Sequence, residues 1–346
     1  MCGICGFFSK NRITHEQLIE MNDTMYHRGP DDSGEDIFQM KNGYRVGLAQ
    51  RRLSILDLSS LGHQPMHSAD KRISVVYNGE IYNFRDIKKE LKDYPFISSC
   101  DTEVIIAAYL KWGIECVNRF NGMFAICIYD RDTEEVFLIR DRIGKKPLYY
   151  ELHEGNLVFA SELKPLMVRE GFSKRIRTEI LSRYLFQQYI NAPESIFENV
   201  YKLEPGSILR FHYGKVKVWK YWDVKDVFHK MQKNPVTDYR QAKDELKALL
   251  NGAVKSRMIS DVPLGTFLSG GYDSSLMTAI AQSQSEQPVK TYSIGFNEEK
   301  YNEAKFAKEV ANYLGTNHTE VYISEKEMFD LVDSIPAYYD EPFADS

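Results

Sequence analysis

The sequence predicts an α/β protein in two parts: a sheet-rich N-terminal domain flanked by helices, then a domain built on a parallel sheet with covering helices. Three observations carry that reading. Short strand-like runs outnumber helical patterns from Met1 to about Pro205. From Asp238 onward the order becomes helix, strand, helix, strand, helix, the alternation of a parallel sheet. A length of 346 residues is the size of about two domains.

In the first part, Ile4–Phe8, Val46–Gln50, Ile73–Tyr77, Met123–Tyr129, Val136–Ile139 and Leu157–Ala160 read as strands. The helices are short. Thr14-His15-Glu16-Gln17 carries a capping box that starts one, and Asp101-Thr102-Glu103 precedes another. Tyr201 to Gln232, rich in Tyr, Trp and Lys, reads as a connector, which gives domains at 1–205 and 238–346 joined by 206–237. In the second part a helical stretch runs to about Met258, followed by a strand at Leu264–Leu268, a helix from Ser274, a strand at Thr291–Phe296 and a helix across Asn302–Leu314.

Composition excludes several classes. The formal charge of −5 and scattered basic residues give no electrostatic footprint for nucleic acid. No apolar run approaches the roughly 20 residues of a membrane span, and the N-terminus lacks the pattern of a secretory signal. Five cysteines without regular spacing fit a reducing compartment, so a cytoplasmic protein is expected.

The chemistry starts at residue two. In Met1-Cys2-Gly3-Ile4-Cys5-Gly6-Phe7, removal of the initiator Met leaves a thiol whose own backbone amine is free. An α-amine titrates at about 7.7–8.0 and can take the thiol proton directly or through a water, so one residue holds nucleophile and base. That pairing suits acyl transfer. The competing readings are a redox or zinc pair with Cys5. No second Cys-x-x-Cys follows, Cys100, Cys116 and Cys127 lack ligand spacing, and Cys5 falls in an apolar strand, where it reads as a small buried thiol.

Further segments carry the polar groups that a site for a free amino acid amide needs. Arg52, in Arg51-Arg52-Leu53-Ser54-Ile55, is either a surface arginine or a bidentate partner for an α-carboxylate. Asn78-Gly79, between apolar strands, is either a two-residue hairpin turn or the same turn used to present an amide and a backbone N–H as an oxyanion hole, with Glu80 facing a substrate ammonium. Asp101 is either a helix N-cap or a carboxylate for the substrate amine.

Together these residues resemble the class II, N-terminal-nucleophile glutamine amidotransferases. The match also includes His27-Arg28-Gly29-Pro30-Asp31, Gln64-Pro65-Met66, Asn78-Gly79-Glu80-Ile81-Tyr82-Asn83, Phe120-Asn121-Gly122-Met123-Phe124-Ala125, Arg140-Asp141-Arg142-x-Gly144-x-Lys146-Pro147-Leu148-Tyr149-Tyr150 and Phe159-Ala160-Ser161-Glu162. The resemblance implies Cys2 as nucleophile, Asn78 and Gly79 as oxyanion hole, Arg52 on the glutamine carboxylate, and Glu80 with Asp101 near its amine. It also implies an α/β/β/α sandwich.

The second part has its own constellation. Leu264–Leu268 runs into Ser269-Gly270-Gly271-Tyr272-Asp273-Ser274-Ser275 before a helix, an order that lets backbone N–H groups close on an anion. The Gly-Lys-Ser/Thr ending of the kinase and GTPase loop is absent. A carboxylate beside phosphate requires an intervening cation, so Mg²⁺ at Asp273 is expected. Ser-Gly-Gly-x-Asp-Ser-Ser resembles the pyrophosphatase loop of enzymes that adenylate a carboxylate. There x is usually Leu, and Tyr272 is expected to change the packing beneath the loop. The resemblance further implies that the strand Tyr292-Ser293-Ile294-Gly295-Phe296 holds adenine near Ile294. It implies too that the terminal Asp340-Glu341-Pro342-Phe343-Ala344-Asp345-Ser346 brings Asp345 to Mg²⁺–pyrophosphate; on local grounds that segment is equally a solvated acidic tail.

One family joins these modules in this order, and the chain resembles it: glutamine-dependent asparagine synthetase and its relatives. The implied chemistry is ammonia release from glutamine at Cys2, adenylation of an aspartate by Mg-ATP, and passage of ammonia between the two sites. Family members continue for about 150–200 further residues. An incomplete adenine-nucleotide-binding domain, a whole glutaminase domain, and a need for a partner or a homo-oligomer are therefore expected. The rival readings are an amidotransferase for another carboxylate or a sugar acid, a bare glutaminase, and a non-catalytic nucleotide-binding fragment.

Overall fold

The computed structural model describes residues 1–11 and 13–344. They divide into two compact units, one of Met1–His229 together with the stretch from Tyr339, the other of Lys230–Tyr338.

The strands of the first unit are β1 (Gly3–Ser9), β2 (Asp32–Gln39), β3 (Arg45–Arg52), β4 (Met66–His67), β5 (Ile73–Ile81), β6 (Gly122–Asp130), β7 (Glu135–Arg140), β8 (Tyr149–His153), β9 (Asn156–Ala160), β10 (Val200–Lys202), β11 (Ser207–His212) and β12 (Lys215–Lys220). They form two six-stranded sheets, ordered β10-β8-β9-β1-β3-β2 and β12-β11-β7-β6-β5-β4. The helices are α1 (His15–Asp23), α2 (Phe84–Glu90), α3 (Asp101–Trp112), α4 (Lys164–Met167), α5 (Thr178–Gln187) and α6 (Val224–Met231).

Period-two geometry explains why β1 reads as an unbroken apolar run. Ile4 and Phe8 enter the core between the sheets with Val46, Leu48, Ala125, Cys127 and Tyr129. Cys5 and Phe7 face the opposite side and pack on Leu18 and Met21 of α1, Leu166 of α4 and Ile180 of α5. The second sheet is covered by α3, which packs on β5 and buries Val104, Ile105 and Ala108. The layers are helix, sheet, sheet, helix, as the resemblance implies. Phe8 touches the rings of Tyr129 and Phe211 across the interface and that of Phe159 on the neighbouring strand of its own sheet. Phe8→Ala is therefore expected to cost about 3–5 kcal/mol, read as a lowered urea midpoint at unchanged slope.

Two expectations need correction here. The segment 206–237 is not simply a connector: β11 pairs with β7 and β12 with β11, completing the second sheet. Lys215–Lys220 alternates lysines with Val216 and Val218 because β12 is an edge strand, and charged edge residues guard against unwanted pairing. Asn78-Gly79 is not a hairpin turn either. β5 runs straight through both, pairing Asn78 with Ala125 and Gly79 with Phe124. Glycine stands at 79 because a Cβ there would lie 2.1 Å from the Met123 carbonyl oxygen.

The second unit contains α7 (Tyr239–Arg257), β13 (Gly265–Phe267), α8 (Tyr272–Ser283), β14 (Lys290–Phe296), α9 (Ala304–Leu314) and β15 (Asn317–Ile323). Its sheet is parallel, ordered β13-β14-β15. Asp238 caps α7 by accepting from the Gln241 N–H at 2.7 Å. Leu268, Ala307 and Ala311 form a small core beneath α9. Among the described residues no helix is long and apolar enough to cross a membrane.

Candidate active site

Cys2 stands immediately before β1, at the rim of a pocket that also presents Arg52, Asn78, Gly79, Glu80, Asp101 and Lys146. Its backbone is pinned first: Arg28 Nε donates to the Cys2 carbonyl at 2.9 Å, and Gly3 opens the pairing of β1 with β3. A Cβ at Gly3 would sit 2.8 Å from Met25 Sδ, so a side chain there would have to displace the buried Met25. The thiol lies against the turn after β3, with the Leu53 N–H 3.4 Å from Sγ and the Leu53 carbonyl 3.6 Å away.

Burial pushes the Cys2 thiol up; the Leu53 backbone, the amino terminus, Lys146 and Arg52 pull the other way. The amino terminus, carried here by Met1, is held below its usual value by burial, and Arg28 and Lys146 add to that lowering. Cys5 is fully buried and burial drives its thiol far up, which fits the structural role expected of it.

Asn78 is 1% exposed, and neither its Nδ2 nor its Oδ1 has a hydrogen-bond partner among the described residues. The strand around it is fixed from both sides, because Gln64 Oε1 accepts from the Tyr77 N–H at 2.7 Å and Gln50 Nε2 donates to the Tyr77 carbonyl at 2.8 Å. A rigid strand thus carries an amide whose polar atoms are unspent beside a thiol.

Arg52 is buried, which removes the surface-arginine reading. Its Nη2 donates to the Leu56 and Asp57 carbonyls at 3.0 and 2.6 Å and its Nη1 to that of Ser59 at 3.3 Å, so it also shapes the loop that walls the pocket. Asp101 is the first residue of α3 rather than its cap, which is Cys100. Its Oδ2 accepts from the Tyr77 hydroxyl and the Ile81 N–H, both at 2.8 Å. Burial raises the Asp101 and Glu80 carboxyls above the usual carboxylate range, and Asp101 raises Glu80 further.

Sequence reasoning assigned no role to Arg28 or Lys146, although both stand in the motifs quoted above. Arg28 Nη1 pairs with Glu162 at 2.8 Å, and Lys164 pairs with the other Glu162 oxygen at 3.4 Å. The same lysine holds Asp340, while Glu341 accepts from the Ile196 N–H at 2.8 Å and pairs with Lys202. Asp340 and Glu341 are thus fixed to the first unit rather than forming a solvated tail. Asp345 lies outside the described residues.

In the second unit, Ser269, Gly270 and Gly271 link β13 to α8, and Asp273, Ser274 and Ser275 form its first turn. Gly270 has φ +83°, and a Cβ there would meet Phe306 Cβ at 2.7 Å. Ser269 and Ser274 share a hydroxyl bond of 2.9 Å that closes the loop. Tyr272 is 97% exposed and packs beneath nothing, contrary to expectation. Pairing of β13 with β14 stops at Tyr292 while β15 continues to Phe296, which among the described residues leaves one backbone edge at Ile294 without a ladder partner. Among the described residues no three acidic, His or Cys side chains gather to hold a metal. The lone Asp273 suits a magnesium ion that draws its other ligands from phosphates and water.

Comparison with known proteins agrees with this division. Residues 1–222 match the family described as glutamine amidotransferase domain, and residues 245–346 the family described as asparagine synthase. Glutamine-hydrolysing asparagine synthetase 2 of Methanocaldococcus jannaschii is 39% identical over the whole chain, which spans 69% of that protein. Asparagine synthetases 1 and 3 of Bacillus subtilis are 35% and 31% identical over 100% and 99% of the chain, which spans only 54% and 57% of their lengths. The chain belongs to the family of glutamine-hydrolysing asparagine synthetases, carrying an N-terminal glutamine amidotransferase domain and an asparagine synthase segment.

Proposed function

We propose that the first unit is a glutaminase that uses Cys2 after removal of Met1. The Cys2 amine takes the thiol proton, the thiolate adds to the side-chain amide carbon of glutamine, and Asn78 with Gly79 meets the oxyanion. The Cys2 ammonium gives that proton to the departing nitrogen, so that collapse expels ammonia and leaves a γ-glutamyl thioester, which water hydrolyses to glutamate and the free thiol. Arg52 holds the substrate carboxylate through the guanidinium donors not spent on the loop, and Glu80 and Asp101 meet its ammonium. The observation that carries the reading is a thiol next to the amino terminus in one pocket with the unpartnered Asn78 amide. The direct test is glutamate release from glutamine without ATP. No release from processed chain overturns it.

For the second unit the reading is ATP binding, with Ser269, Gly270, Gly271, Ser274 and Ser275 around the phosphates, Ile294 at the adenine, and Asp273 toward Mg²⁺. Supporting it are the order of strand, glycine loop and helix N-terminus and the open edge at Ile294. When bound, the ion would screen phosphate charge. In the longer cytoplasmic enzyme these parts serve glutamine-dependent asparagine synthesis: an aspartate carboxylate is activated as an adenylate with loss of pyrophosphate, and ammonia displaces AMP. Asp273→Ala is expected to abolish pyrophosphate formation in that enzyme and leave glutamate release within twofold of normal. Pyrophosphate formed at the normal rate would refute the loop assignment.

A further inference from the structure

Lys146 has no part in the chemistry above, yet its surroundings are built to aim it. It is 4% exposed and lines the pocket beside Cys2 and Glu80. Asp141, fully buried, accepts from the Phe124, Ile143, Lys145 and Lys146 N–H groups at 3.0–3.2 Å. Arg140 donates to the Lys146 carbonyl at 2.9 Å and to the Gly144 carbonyl at 3.0 Å. The buried Asp141 carboxylate and the half-buried Arg140 guanidinium thus fix one turn, and its product is a lysine lining the pocket of Cys2.

The ammonium has a poor partner. Nζ donates to the thioether of Met1 at 3.3 Å, a weak acceptor, and excision of Met1 removes even that. A buried cation without a partner is costly and is usually kept for what its field does. Burial, the largest influence, holds the Lys146 ammonium below the usual lysine range; of the charged groups around it Glu80 favours its charge, Arg28 opposes it, and Cys2 and Asp141 favour it. The amino terminus feels Cys2, Arg28, Lys146 and Asp31, in that order after burial.

We propose that Lys146 is a positioning residue of the glutaminase site, whose ammonium, once Met1 is gone, faces the Cys2 amine and thiol and favours the unprotonated amine and the thiolate. This rests on Cys2 being the nucleophile. The sign is fixed by charge: a cation beside an amine disfavours its protonation, and beside a thiol it favours the anion. Both effects extend activity toward lower pH.

The test is the pH profile of kcat/KM for glutamine hydrolysis by the full chain carrying Lys146→Met or Lys146→Arg. The Met variant is expected to move the acid limb up by roughly half to one unit, so that below the limb it is about three- to tenfold slower than the wild type. The Arg variant keeps the wild-type limb, and KM stays within twofold in both. An unmoved limb in the Met variant overturns the proposal. So does a raised KM at unchanged kcat, which assigns Lys146 to substrate binding. If the Met variant does not fold, Lys146→Gln reads the same limb with a polar tip in place. A wild type without Cys2-dependent hydrolysis overturns the glutaminase reading itself, whereas a Cys2-dependent wild type with an unmoved limb overturns only the role of Lys146.

Discussion

Cys2→Ala is expected to lower glutamate release from glutamine by roughly 10⁴–10⁶-fold, the range seen when a covalent nucleophile is removed. The loss falls on kcat, because the pocket that receives the substrate is built by β5, α3 and the loop after β3 rather than by the thiol. Stability should hardly change, since Cys2 lies ahead of β1 and belongs neither to the core between the sheets nor to the one beneath α1, α4 and α5. In the longer family enzyme the same variant should retain synthesis from free ammonia, which enters after the glutamine step. Ordinary glutamate release by Cys2→Ala would reject the site.

Asn78→Ala is expected to lower kcat by about 10²–10³-fold, or about 2.7–4 kcal/mol of transition-state stabilisation, with KM little altered. A purely structural asparagine would show a different pattern. Its polar atoms would be bonded, and their loss would lower stability by the usual 1–3 kcal/mol or so. Here both amide atoms are buried and unpartnered, so truncation removes an existing penalty. The melting temperature of Asn78→Ala should equal or exceed that of the wild type while activity collapses. A fall in both together would mark Asn78 as part of the scaffold.

Much of this architecture is legible in the sequence for a definite reason. Strands buried on both faces cannot alternate with polar residues, so β1, β5, β6 and β9 stand out as apolar runs. The capping box at Thr14 is read correctly because it is purely local, with Thr14 Oγ1 accepting from the Gln17 N–H at 3.2 Å. The four strands at the edges of the two large sheets, β2, β4, β10 and β12, are all missed, as are β8 and β11 one place in from an edge. β2, Asp32–Gln39, is polar along most of its length, and β12 is lysine-rich; each lies at a sheet edge, where solvent tolerates what a central strand would not. The Asn78-Gly79 pair shows tertiary context overriding a turn signal: close approach to β6, not a bend, requires the glycine. Of the candidate residues, Cys2, Arg52, Asn78, Gly79, Glu80 and Asp101 are singled out by residue type and motif, and the fold gathers them into one pocket. Arg28 and Lys146 were not singled out, because their importance lies in what they point at, which spacing along the chain does not record.

The central claim is that Cys2, as the first residue of the processed chain, attacks the glutamine amide. Peptide mass spectrometry after incubation with a glutamine-mimicking electrophile tests it most directly. The account predicts one adduct, on Cys2 of an N-terminal peptide that lacks Met1, formed in step with loss of glutamate release. An adduct on Cys5, Cys100, Cys116 or Cys127, or full activity in material whose N-terminal peptide still carries Met1, would contradict it.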